Sequence, residues 1–144
     1  MAWFPFAILA GAAVYDLRKK EVPDAVWAVL LLWGLGLVLF GPPEATWGNF
    51  LFGLVLGLGV GVLLFRMGGF GGGDAKLFAA LGSILGPQGL LVVFLYTALA
   101  GGILAIVARL RGKDELAYVP AIAAGFLVFL LTDGRLPHEI LLGP

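Results

Sequence analysis

The sequence contains no cysteine, one histidine (His138) and one serine (Ser83). The missing cysteines exclude disulfides, thiolate metal sites and a cysteine nucleophile. One histidine without cysteine leaves no usual ligand set for zinc. Charge is sparse as well: 12% of residues are charged, nine basic against nine acidic, and the formal net charge is zero. A net charge of zero suggests no polyanionic partner, which sets nucleic acid aside. No basic stretch precedes the first apolar run, so residues 2–15 read as a retained transmembrane helix rather than a cleaved signal peptide. There is no internal repeat and no separate polar domain.

Apolar residues are what the chain has in excess: 61% of the total, with a mean hydropathy of +1.06. A soluble domain is roughly 45–50% apolar and about 25% charged. The composition therefore predicts an all-α, polytopic membrane helix bundle, with residues 1–144 forming a single membrane-embedded domain. Six apolar segments can be drawn, at about 2–16, 25–40, 47–65, 75–86, 90–108 and 117–132. Crossing a 30 Å hydrocarbon core takes about 20 helical residues, so the first and fourth segments must borrow flanking residues. The first is expected to run on towards Lys20. That places Asp16 just inside the membrane, with Arg18, Lys19 and Lys20 reaching outward. Gly86-Pro87-Gln88-Gly89 reads as a turn that closes the fourth.

Basic residues set the orientation. Arg18, Lys19 and Lys20 follow the first segment, Arg66 and Lys76 flank the third loop, and Arg109, Arg111 and Lys113 lie in the fifth. The other two loops have none, and the C-terminal tail has only Arg135, so eight of the nine fall on one side. The positive-inside rule makes that side cytoplasmic and puts both termini outside. Gly53, Gly57 and Gly61 recur every four positions and predict a face along which another helix backbone comes close. Trp3, Trp27 and Trp47 stand at segment ends, where interfacial aromatics belong.

Asp16 ends the first segment, Asp24 starts the second, Asp74 opens the fourth, and Asp114 and Glu115 lie in the last cytoplasmic loop. Glu44, Asp133 and Glu139 fall on the outer side. Ser83 has no histidine within reach, because His138 lies in the outer tail. Hydrolytic chemistry would therefore need paired carboxylates. Two aspartates held close share one proton; the ionised partner can activate water and the protonated one can polarise a carbonyl. Asp74 at a helix start suits the carboxylate, and Asp16 near a helix end suits the neutral acid, although Arg18 and Lys19 oppose that. Five glycines in the six positions before Asp74 form either a slack inter-helix loop with Asp74 as its cap or a gate beside a site.

Taken together, Tyr15-Asp16-Leu17-Arg18 with Val22-Pro23, Gly71-Gly72-Gly73-Asp74-Ala75-Lys76-Leu77 with Ala80-Leu81-Gly82, and Tyr118-Val119-Pro120-Ala121 resemble the prepilin peptidase family. These are Gly-x-Gly-Asp membrane aspartic proteases related in motif to preflagellin and presenilin-like peptidases. The resemblance runs through the chain in order. It implies that Asp16 and Asp74 are the catalytic pair, with no metal and no cofactor. It also implies that the substrates are type IV prepilin-like or pseudopilin precursors, whose basic leader is cut at the cytoplasmic face of the inner membrane. Long members add a cytoplasmic domain with two Cys-x-x-Cys pairs and N-methylate the product. This cysteine-free chain resembles the short, peptidase-only branch, and N-methylation is not expected of it.

Supporting roles follow from the same resemblance. Gly71 and Gly73 let backbone pass close to Asp74, or simply give flexibility. Lys76 supports the pair or reaches lipid phosphate, and Arg18 anchors the interface or contacts substrate. Pro120 unwinds the start of the last helix or merely occupies its first turn. Asp24, where the family usually has an Asn-like residue, reads as an N-cap. Two other readings of the acids stand beside the peptidase: a small proton or cation carrier, and a non-catalytic scaffold of a pilus or secretion assembly. A carrier would place its acids nearer the membrane midplane.

Overall fold

The structure, a computed structural model, describes residues 3–19, 23–68, 71–113 and 118–136. Lys20, Val22, Asp114, Glu115, Pro137, His138 and Glu139 lie outside the described residues. Among those described, helix is the only regular structure: α1 (Trp3–Lys19), α2 (Asp24–Phe40), α3 (Trp47–Arg66), α4 (Gly72–Leu110) and α5 (Tyr118–Leu131). α3 and α4 are long and apolar enough to cross a membrane. As expected, α1 continues past its apolar run, to Lys19.

The 39 residues of α4 would reach about 58 Å at 1.5 Å per residue, nearly twice a hydrocarbon core of about 30 Å. The helix does not run straight. It breaks at Gly86, whose φ of 71° and ψ of 177° lie in a region essentially closed to residues with a Cβ. Pro87 follows, and a proline pushes the residue before it out of the helical region. Helix resumes at once, so Gly86-Pro87-Gln88-Gly89 is a one-residue kink rather than the expected four-residue turn. The six apolar segments thus fall on six helical stretches, two of them arms of α4.

Contacts divide the chain into two compact units. One comprises Lys19–Leu90 and so holds α2, α3 and the first arm of α4. Its packing is made by glycine. A Cβ on Gly53 would collide with the carbonyl of Gly82, one on Gly57 with that of Phe78, and one on Gly61 would fall 2.6 Å from Ala75 Cα. The four-residue glycine face foreseen in α3 therefore lies along the first arm of α4 at backbone-to-backbone range. Gly34 of α2 meets that arm too, where a Cβ would stand 2.7 Å from Ser83 Oγ. Large apolar side chains of α3 point the other way: Leu51, Phe52, Val55, Leu58, Val62, Leu63 and Phe65 are exposed while the glycines are buried. Small residues inside and large apolar side chains outside invert the soluble pattern and match a helix surrounded by lipid.

The other unit comprises Met1–Arg18 and Leu91–Pro144, and so holds α1, the second arm of α4 and α5. α5 buries Val119, Ala121, Ile122, Ala123, Gly125 and Phe126. A Cβ on Gly125 would stand 2.6 Å from the backbone N of Thr97, so this pair of helices also packs through glycine. The Tyr96 hydroxyl donates to the Arg135 carbonyl just past α5. The Gly134 N–H reaches back to the Phe129 carbonyl at 2.9 Å, closing the helix end.

Candidate active site

Asp16 lies on the buried stripe of α1. Pro5, Leu9, Ala12, Ala13 and Asp16 are its buried residues, and their spacing of three and four marks one helix face. A carboxyl that continues an apolar stripe cannot be a solvated surface group, and Asp16 is only 7% exposed. The basic residues beside it, Arg18 and Lys19, are exposed. The backbone N–H of Val119, in the first turn of α5, hydrogen-bonds to Asp16. The first-turn amides of a helix have no partner within it, so α5 offers the carboxyl a donor it would otherwise lack. Pro120, next in that turn, is helical. It does not unwind α5, because a proline in a first turn gives up an N–H that was unpaired anyway.

Asp74 belongs to the other unit. The helix begins at Gly72, so Asp74 is its third residue, and two of the glycines read as loop are already helical. Asp74 is therefore not the N-cap. Gly71 occupies that position: its carbonyl accepts from Ala75 N at 3.3 Å, and its own N–H donates to Asp74 Oδ2 at 3.1 Å. An acidic third residue that returns to the cap amide is one half of a capping box. A Cβ on Gly71 would meet only Asp74 Oδ2, at an ordinary 3.5 Å. The contact with Asp74 comes from the Gly71 amide and not from a missing side chain. Gly73 is half-buried within the same turn.

Asp74 is also only 7% exposed. Ala75, directly after it, is the residue against which Gly61 packs. The seat of this carboxyl thus lies beside one of the three backbone approaches along α3, that of Gly61 to Ala75. The helix N-terminus adds the positive end of its dipole, which favours negative charge in the first turn. Ser83, the one serine, is buried further along the arm and donates to the Ala80 carbonyl at 2.7 Å, a bond back into its own helix.

Two of the remaining expectations change. Asp24 does not cap α2: Pro23 is the N-cap, no side chain bonds that cap, and Asp24 is the first helical residue. Its carboxylate instead accepts from Lys76 Nζ at 2.7 Å and from Trp27 Nε1 at 3.3 Å. The Lys76 hydrogen bond comes first, with the Trp27 bond and the Lys76 charge added, and together they hold the Asp24 carboxyl below its ordinary range. Lys76 does point away from buried Asp74, as its spacing requires, but towards α2. Residues 52 apart in sequence make this pair, and no local pattern signals it. Among the described residues, no group of three or more histidine, aspartate or glutamate side chains could hold a metal ion.

Residues 3–106 match the model of the type IV leader peptidase family. The chain is 30% identical over 145 aligned positions to the prepilin leader peptidase/N-methyltransferase of Bacillus subtilis (strain 168), covering 93% of this chain and 56% of that protein. It is 35% identical over 154 positions to the protein of the same name from Burkholderia pseudomallei (strain K96243), covering 95% and 47%. It is 31% identical over 78 positions to the preflagellin peptidase of Methanocaldococcus jannaschii, covering 51% and 33%. The chain spans about half the length of the longer curated relatives it matches. No solved structure matches it. An alignment that runs through nearly the whole chain, with a family match that includes both buried aspartates, establishes that this protein belongs to the type IV leader peptidase family.

Proposed function

We propose that the chain is a membrane aspartic endopeptidase that removes the leader of type IV prepilin-like or pseudopilin precursors, with Asp16 and Asp74 as its catalytic pair. The observation that carries this is their burial: in a family of leader peptidases, two aspartates at helix ends are buried, each residue only 7% exposed. Buried acids in an apolar protein are costly and mark function. Each has a backbone amide donor, Val119 for Asp16 and Gly71 for Asp74.

In this reading Asp74, at the positive end of a helix, is the ionised partner, and Asp16 holds the shared proton. Asp74 takes a proton from water as the water oxygen bonds to the scissile carbonyl carbon. Asp16 gives its proton to the carbonyl oxygen, forming a neutral tetrahedral diol. Collapse returns a proton from that diol to Asp16, while Asp74 passes its proton to the departing amine. The balance closes without a covalent enzyme intermediate. The charge pattern supports placing this chemistry at the cytoplasmic face of the inner membrane, with both termini outside.

The test is cleavage of a pilin-type precursor by the purified chain in liposomes, compared with Asp16→Asn and Asp74→Asn. Each variant should lose at least about 10²-fold in kcat, the lower end for removing a general acid or base. Both should stay folded, since asparagine keeps an oxygen to accept the Val119 or Gly71 amide. Cleavage that survives either substitution refutes the pair.

A further inference from the structure

Three side chains from two helices meet at the start of α4. Lys76 stands two residues after Asp74. Its ammonium donates to Asp24 Oδ1 at 2.7 Å and lies 5.7 Å from the centre of the Trp27 ring, within cation–π range. The Trp27 indole N–H closes the triangle by donating to the same Asp24 oxygen at 3.3 Å. Asp24 and Trp27 are three apart on α2 and so share a face. One carboxylate oxygen therefore receives a donor from its own helix and another from a helix 52 residues away. We infer that Asp24, Trp27 and Lys76 form a positioning cluster that ties the first turn of α4, and with it the Asp74 carboxyl, to the start of α2. This rests on the proposed role of Asp74. None of the three side chains is assigned to the reacting atoms.

The geometry explains why a pair this exposed has a use. Lys76 is 46% and Asp24 79% exposed, and such pairs add little to global stability. Their value is local. The first turn of α4 is packed through Gly61 and Ala75 on one side, and the cluster restrains it from α2. Trp27 orients the carboxylate through its N–H and covers the lysine with its ring, so one indole fixes both charges.

A double-mutant cycle tests this in the full chain reconstituted in detergent, using Asp24→Ala, Lys76→Met and the double variant. Hydrogen exchange over residues 71–77 and kcat and KM for a pilin-type precursor are the readouts. Each single variant should exchange a few-fold faster in that turn and lose about threefold to tenfold in kcat at unchanged KM. That is less than the roughly 10²-fold expected of a full 1 Å misplacement. The double variant should cost no more than either single one, and Lys76→Arg should recover most of the loss. Unchanged exchange in both single variants overturns the inference, as do losses that add in the double variant, or a raised KM at constant kcat. A wild type that cleaves no precursor would defeat the proposed function instead, and the exchange cycle would still decide whether the cluster holds Asp74's turn.

Discussion

Replacing Gly61 by alanine places a methyl carbon 2.6 Å from Ala75 Cα and 2.9 Å from its Cβ. Carbon atoms rest about 3.5–4.0 Å apart, so α3 and the first arm of α4 must separate locally by roughly 1 Å. The obstacle is backbone, which cannot swing aside as a flexible side chain would. Overpacking of this kind costs about 1–3 kcal/mol. The displaced residue is the neighbour of Asp74, and in the role proposed for Asp74 a shift of about 1 Å should cost on the order of 10² in rate. Gly59 supplies the control, two residues away on the same helix: a Cβ there has nothing within 4 Å. Gly59→Ala should be neutral or slightly stabilising, since alanine exceeds glycine in helix propensity by about 1 kcal/mol. Thermal unfolding in detergent and precursor cleavage, measured side by side, compare the two. If Gly61→Ala keeps both the melting temperature and the kcat of Gly59→Ala, the backbone contact does not seat Asp74, and the reasoning fails.

Gly86→Ala forces a Cβ into a backbone region that only glycine occupies readily, at a cost of about 1–3 kcal/mol; the melting temperature in detergent should fall, and an unchanged value would mean that the kink relaxes freely. The pH dependence of the Asp24–Lys76 pair has a fixed sign. Because the Asp24 carboxyl is held below its unfolded value, its contribution is complete above about pH 3.9 and is lost only as pH falls through the lower folded value. Exchange of the first turn of α4 should thus differ between wild type and Asp24→Ala at neutral pH and converge only in stronger acid. Convergence already near pH 6 would contradict the ion pair. Raising ionic strength to about 1 M, where the Debye length is near 3 Å, should shrink the same difference.

Much of the fold was legible because its causes are local. Apolar runs of helical length place all six helical stretches, and the charged ends of those runs show where α1 stops. The four-residue glycine spacing in α3 reveals a close-packing face, since period and residue size are properties of one helix. What it packs against was not legible: only the folded unit sets Gly53 on Gly82, Gly57 on Phe78 and Gly61 on Ala75. Gly86-Pro87 announces a break, but whether one residue or four leave the helix depends on what holds the next turn.

The two aspartates follow the same division. Charge asymmetry and the lack of a serine–histidine or cysteine pair direct attention to the carboxylates on one side, and the family motifs pick Asp16 and Asp74 among them without coordinates. Tertiary structure decides what lies against them: the Val119 amide on Asp16, and Gly61 on Ala75, next to Asp74. Asp24 marks the boundary most clearly. An aspartate after Val-Pro at a helix start looks like a cap, because capping is decided within a few residues. Its bond to Lys76 spans 52 positions, and only folding brings an acid and an amine that far apart in sequence to 2.7 Å.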